Sequence, residues 1–183
     1  MLYRDEFEEI KRTVVLVDFS PGYRLGDFDC GVADYNEFLL NDAEYYIVQN
    51  VSQVKLLIDK KTADVVGYMA LNTDSFKLDE DEKEKEGLDI PFTSVPALKI
   101  GKLAINLKYA GKDYGSYLLF MALGLAEELN ELGIGCRFIV VDADIQHEPK
   151  TPDFYINNGF VDNEKMNKGR DKSISMRYDL FED

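Results

Sequence analysis

The residues best suited to chemistry lie in one stretch, Tyr109-Ala110-Gly111-Lys112-Asp113-Tyr114-Gly115-Ser116. It is a short polar loop that runs into an apolar-periodic segment. A loop entering a helix leaves several backbone N–H groups without an acceptor, and the helix dipole adds positive potential there. That combination suits a phosphate group. Ser116 serves equally as an ordinary first-turn residue or as a phosphate contact. Asp113 opposes an anion by like charge, unless its carboxylate points outward and Lys112 restores the balance. The other reactive side chains are scattered. His147 is the single histidine and falls in a polar loop. Cys30 and Cys136 have no neighbours at metal-ligand spacing, so free thiols and no metal site are expected.

Two elements must hold this loop. Upstream, Leu98 and Ile100 alternate, and Leu103, Ile105 and Leu107 repeat the alternation shifted by one residue. A slip of one in a period of two is what a β-bulge produces, and Gly101-Lys102 sits at the slip. Downstream, Leu118, Ala122, Leu125, Leu129 and Leu132 recur at helical spacing, with Leu119 and Ala126 widening the stripe.

The rest of the chain reads as elements around this core. Phe7 to Arg12 leads in, as a short helix or a plain approach, and Thr13 to Val17 is β-branched and apolar. Ala33 to Val48 reads as a helix with Leu39, Ala43 and Ile47 on its apolar side, joined by Tyr35 and Tyr46. Val54 to Ile58 and Val65 to Asn72 form a hairpin around the polar turn Asp59 to Asp64. Asp79 to Glu86, DEDEKEKE, reads as a solvated charge run in a surface loop. Cys136 to Val141 has the near-continuous apolarity of a strand buried on both faces. Thr151 as N-cap, Pro152 in the first turn and Asn158-Gly159 as stop outline a short helix. Ile174, Met176, Tyr178 and Leu180 alternate as a last strand that pairs with Phe160-Val161. The expected class is mixed α/β, in one domain spanning residues 1–183.

Composition narrows the functions. The chain has 35 acidic residues against 21 lysines and arginines, a net charge of −14. Broad nucleic-acid binding needs the opposite balance. No run approaches the roughly 18 apolar residues of a membrane span, and the start does not read as a signal peptide. A cytoplasmic, acidic protein without membrane partners is expected.

The strand–loop–helix stretch resembles the acetyl-CoA-binding core of the GNAT (GCN5-related N-acetyltransferase) family. The family signature, Gln/Arg-x-x-Gly-x-Gly/Ala, aligns with Ala110-Gly111-Lys112-Asp113-Tyr114-Gly115. Gly115 matches; Ala110 and Asp113 depart. Val65-Val66-Gly67-Tyr68 resembles the family's third strand. Phe154, Tyr155, Gly159 and Phe160 match its Phe-Tyr-x-x-x-Gly-Phe segment. Phe28-Asp29-Cys30-Gly31, followed by Asn36-x-x-Leu39, is similar to the opening phrase of a toxin branch that acetylates the amino acid on charged tRNA.

The resemblance implies the GNAT fold, a central, mostly antiparallel twisted sheet with a bulged fourth strand and flanking helices. It implies acetyl-CoA as co-substrate and transfer of the acetyl group to a primary amine by direct attack on the thioester. Leu103, Ala104 and Ile105 would bind the pantetheine arm and polarise the thioester carbonyl. Ala110, Gly111, Lys112, Asp113, Tyr114, Gly115 and Ser116 would hold the pyrophosphate. Tyr155, with Phe154 beside it in the cofactor site, would protonate the departing thiolate. The acceptor is left open among a small amine, a protein N-terminus and an aminoacyl-tRNA, whose acceptor end is the one nucleic acid that fits. The base is also open, with Glu37, Glu44, Asp74 and Asp144 eligible by type. A non-catalytic acyl-CoA-binding or protein-interaction module is the alternative that Ala110 and Asp113 motivate. A homodimer is common in the family.

Overall fold

The computed structural model describes residues 7–169 and 171–181. Among the described residues seven strands form one sheet in the order β1-β2-β3-β4-β5-β7-β6. They are β1 Val14–Asp18, β2 Gln53–Asp59, β3 Val65–Lys77, β4 Ser94–Ile105, β5 Phe138–Asp144, β6 Val161–Asp162 and β7 Ser173–Asp179. The helices are α1 Glu8–Thr13, α2 Ala33–Glu37, α3 Ala43–Val48, α4 Glu80–Lys85, α5 Tyr114–Glu131 and α6 Thr151–Asn157. Pairing is antiparallel for β1–β2, β2–β3, β5–β7 and β6–β7, and parallel for β4–β5. By internal contacts the chain divides into two compact units, Leu2–Asn72 with Gly101–Met121, and Thr73–Ile100 with Ala122–Asp183.

In the first unit β1 and β2 pair from Val14↔Asp59 to Asp18↔Lys55. The β2–β3 turn is built by Asp59, whose carboxylate accepts from the N–H groups of Lys61 and Thr62 at 2.8 and 2.9 Å. The helix expected over 33–48 is present, but a wider π-helical turn, Phe38–Asp42, separates α2 from α3. That turn brings Phe38 and Leu39 onto a core of Phe28, Ala43, Leu56, Tyr68, Ala70 and Ala104. Burying such a side chain is worth about 1.5–3 kcal/mol. The Tyr68 hydroxyl, deep in this core, donates to the Tyr35 carbonyl at 2.9 Å. Gly67 is required by close approach. A Cβ there would lie 2.8 Å from the Ala104 carbonyl oxygen and 2.6 Å from Ile105 Cδ1.

In the second unit β4 and β5 pair over Ala97↔Phe138 to Ile100↔Val141, and β4 itself runs on to Ile105. Phe76, Leu78, Val95, Ala97, Phe138 and Val140 make its core. β7 lies between β5 and β6, and pairs with Val161 and Asp162, one residue on from the expected Phe160-Val161. The parity of core side chains changes within β4. Ala97 packs with Phe76, and Ala104 with Tyr68 and Ala70; these β3 partners share one parity, while Ala97 and Ala104 do not. A one-residue slip of this kind is the one expected at Gly101-Lys102.

Four expectations need correction. The acidic run is not a solvated loop. Asp79 caps α4 in a capping box with Glu82, and Glu82 and Lys83 are buried. Asp79 and Glu82 stand at capping-box spacing, so the helix start was legible; the burial was not, because its partner Arg177 lies far along the chain. Thr151 is not an N-cap: it is the first residue of α6, and its hydroxyl donates to the Glu148 carbonyl at 2.8 Å. The buried strand starts at Phe138, because Asn130 brackets the Cys136 peptide with hydrogen bonds of 2.8 and 2.7 Å. Leu132 falls beyond the end of α5 and is exposed, while Leu118, Leu119, Ala122 and Ala126 are buried.

Candidate acetyl-CoA site

The loop at the start of α5 is fastened at several points within the first unit. Asn106, nearly buried, donates from its backbone N–H to the Val66 carbonyl at 2.9 Å, and its side chain accepts from Lys108 N–H at 3.0 Å. Leu107 N–H donates to the Asp29 carbonyl at 2.8 Å. The Asp29 carboxylate accepts from Gly31 N–H and from the Asn36 side-chain amide, both at 2.8 Å, which holds its carboxyl below the usual range. Asn36 accepts in turn from Cys30 N–H at 3.0 Å. The Phe28-Asp29-Cys30-Gly31 phrase and Asn36 therefore act as a bracket on which the loop begins.

Tyr109 anchors the next residue. Its ring is buried, and its hydroxyl donates to Asp64 at 2.9 Å. Lys108 and Arg24 also bond Asp64. Lys108 and Tyr109 together draw the Asp64 carboxyl down to about 2. Burial and the neighbouring carboxylate push the Tyr109 phenol up, against a Thr62 hydrogen bond that opposes them. Lys112 lies over the Tyr109 ring and Tyr114 meets it edge-on, at 5.8 Å each.

Beyond this anchor the backbone takes the left-handed conformation twice, at Gly111 (φ 70°) and Asp113 (φ 58°). Asp113 thus adopts a conformation that glycine reaches most cheaply and that Asp and Asn tolerate better than most residues. Its carbonyl accepts from Tyr117 N–H at 2.9 Å. Tyr114, Gly115 and Ser116 open an 18-residue helix, so their N–H groups have no intrahelical acceptor. Gly111, Lys112 and Asp113 are exposed. Of the strand residues, Ala104 is buried, and Leu103 and Ile105 are half-buried. The first unit thus brings together Leu103, Ala104, Ile105 and the whole of Ala110 to Ser116.

Tyr155 and Phe154 lie in the second unit, on α6. Tyr155 is 7% exposed, and its ring packs on Phe154 and Phe160 with centroids 5.0 and 5.3 Å apart. Gly159 (φ 85°) turns the chain back, and a Cβ there would stand 3.0 Å from the Tyr178 ring. Of the residues eligible as base, Asp144 accepts from His147 Nδ1 at 2.6 Å and Asp74 lies 3.6 Å from Lys99. Burial pushes Asp144 up, but hydrogen bonds from His147 and Gln146 outweigh it and hold the carboxyl low. Glu37 accepts from Asn41 at 2.6 Å, and Glu44 is exposed. Among the described residues no group of His, Cys, Asp and Glu is arranged to hold a metal ion, and no helix is long and apolar enough to cross a membrane.

The strand order, the parallel β4–β5 pair in an otherwise antiparallel sheet, and the loop opening α5 define the GNAT fold. The chain is similar to the solved structure of AtaTR bound with AcCoA, at 21% identity and a TM-score of 0.73, over 92% of this chain and 95% of that one. It is similar to AtaT complexed with acetyl-methionyl-tRNAfMet, at 22% identity and a TM-score of 0.73, over 91% and 94% of the two chains. A mutant of KacT matches at 21% identity and a TM-score of 0.74, over 92% and 95%. At these identities the likeness is one of fold. No protein-family model and no curated protein matches the sequence.

Proposed function

We propose that this chain is a single-domain, acetyl-CoA-dependent N-acetyltransferase of GNAT type, and that its acceptor is the amine of an aminoacyl-tRNA. The observation that carries the activity is the loop, with left-handed Gly111 and Asp113 delivering the free N–H groups of Tyr114 to Ser116 at a long helix. Such a cradle fits a pyrophosphate. The acceptor class is supported by likeness to AtaT, whose solved complex holds acetyl-methionyl-tRNAfMet.

In this reading Gly111, Lys112, Asp113, Tyr114, Gly115 and Ser116 hold the pyrophosphate, with Ala110 shaping the loop entry. Leu103, Ala104 and Ile105 take the pantetheine arm, and a backbone N–H among them polarises the thioester carbonyl. The neutral amine attacks that carbon, forming a C–N bond and a tetrahedral oxyanion. Collapse breaks the C–S bond, and the Tyr155 hydroxyl delivers a proton to the leaving thiolate. Phe154 packs beside the sulfur end. The amine proton leaves to water, and Tyr155 recovers its own. A cytoplasmic location follows from such an acceptor.

Calorimetric titration with acetyl-CoA, followed by transfer of labelled acetyl to charged tRNA, a small amine or a peptide N-terminus, tests this. Micromolar binding with label on the charged tRNA is the expected result. Binding without turnover on any acceptor would move the assignment to a non-catalytic acyl-CoA-binding module.

A further inference from the structure

We propose that Lys102 determines acceptor specificity, its ammonium binding a phosphodiester group near the acceptor end of the tRNA. The inference rests on the transferase reading above and adds a residue to it. Several lysines could form a basic stripe on this acidic chain, and the structure pairs three of them, Lys55, Lys99 and Lys108, with carboxylates. Lys55 pairs with Asp18, and Lys99 with Asp142 at 2.8 Å and Asp74 at 3.6 Å. Lys108 pairs with Asp64, and Lys60 donates to the carbonyls of Lys11 and Arg12 at 2.8 and 3.2 Å. Lys102 differs from the paired lysines in standing against two aromatic rings. Among the described residues no carboxylate pairs with it, although the chain has 35 acids. Its Nζ stands 4.5 Å from the centroid of the Tyr35 ring and 5.2 Å from that of Phe38.

Aromatic faces hold a cation in place without neutralising it or using its hydrogen-bond donors. The ammonium therefore stays oriented, with its donors left to bond an anion. The rings are placed for this by local structure. Tyr35 lies on α2, and Phe38 begins the π-helical turn, a feature that frequently marks functional sites. Lys102 also lies on β4 itself, next to the segment proposed to present the thioester. It precedes Leu103 by one residue, about 3.3 Å of strand, and by alternation it shares a face with Ala104. An anion bound at Lys102 would lie close to the segment that presents the thioester. A phosphodiester fits three donors on a compact charge. Lys112, over the Tyr109 ring, is left to the pyrophosphate of the cofactor.

The test compares wild type with Lys102→Met and Lys102→Arg on two acceptors, a charged tRNA and an amino-acid ethyl ester, which has no phosphate. Acetyl-CoA affinity is measured alongside by calorimetry. In Lys102→Met the loss of kcat/KM on charged tRNA should exceed the loss on the ester about tenfold, and log kcat/KM should fall with log salt by about 0.7–0.9 less per decade. The arginine variant should recover most of the loss. Equal losses on both acceptors, or none on charged tRNA, would overturn the proposal. Should wild type acetylate neither acceptor, the activity reading fails, and the lysine is judged by binding instead. Fluorescence anisotropy with an RNA hairpin bearing a single-stranded 3′ end must then show weaker affinity in Lys102→Met, and equal affinity would reject the site.

Discussion

The Tyr109 hydroxyl lies 2.9 Å from Oδ2 of Asp64, and this bond ties the β2–β3 turn to the start of the loop that opens α5. Asp64 also receives Lys108 and Arg24, so one carboxylate gathers three elements of the first unit. Its carboxyl is drawn to about 2, below the unfolded value near 3.9. The stabilisation is therefore complete above about pH 4 and is lost as pH falls through about 2. Asp64→Asn should flatten the acid limb of a pH–stability profile in that window. It should also weaken acetyl-CoA binding at neutral pH, since the loop loses its anchor. An acid limb identical to wild type would remove Asp64 from the account.

Gly67→Ala should destabilise the fold by about 1–3 kcal/mol, the usual cost of forcing extra volume into a packed site. The new Cβ would lie 2.8 Å from the Ala104 carbonyl oxygen, which is backbone and moves only with β4. Because that backbone belongs to the proposed thioester-binding segment, acetyl-CoA affinity should fall as well. Urea denaturation reads the first effect and calorimetry the second. An unchanged urea midpoint would contradict the close approach.

Asp113→Gly should tighten acetyl-CoA binding. The substitution removes a like charge from the proposed anion cradle, and it places glycine at φ 58°, where L-residues pay roughly 1 kcal/mol. Thermal stability should hold or rise. A loss of affinity on titration would mean that the Asp113 side chain itself serves the ligand.

Tyr155→Phe should lower kcat by about 10²–10⁴ if the hydroxyl acts as general acid. The ring contacts with Phe154 and Phe160 survive the change, so the melting temperature and acetyl-CoA affinity should shift little. Unaltered turnover on the true acceptor would exclude the phenol from proton transfer.

Arg177→Leu should destabilise the second unit by about 3–5 kcal/mol, because it strands a buried partner charge. Arg177 is 4% exposed; its Nε donates to Glu86 at 2.7 Å and its Nη1 to Asn163 at 2.9 Å. Adding Glu86→Gln should recover part of the loss. A single variant less than about 1 kcal/mol weaker than wild type would class the pair with exposed ion pairs.

What the sequence determined by itself was local. The hairpin around Asp59–Asp64, the loop and helix from Gly111, the turn at Gly159 and the pairing of Val161 with the last strand all follow from periodicity and turn chemistry over a few residues. Tertiary structure decided what the charges do. The run from Asp79 to Glu86 has the composition of a solvated loop, yet Glu82 and Lys83 are buried because Arg177 and the Ile90 carbonyl wait for them. Asp64 becomes the anchor of the loop that opens α5 through Tyr109, 45 positions away. Lys102 and Lys99 look alike in the chain, but only Lys99 meets carboxylates among the described residues. Backbone preference is a property of neighbouring residues, whereas the state of a charge depends on what folding brings against it.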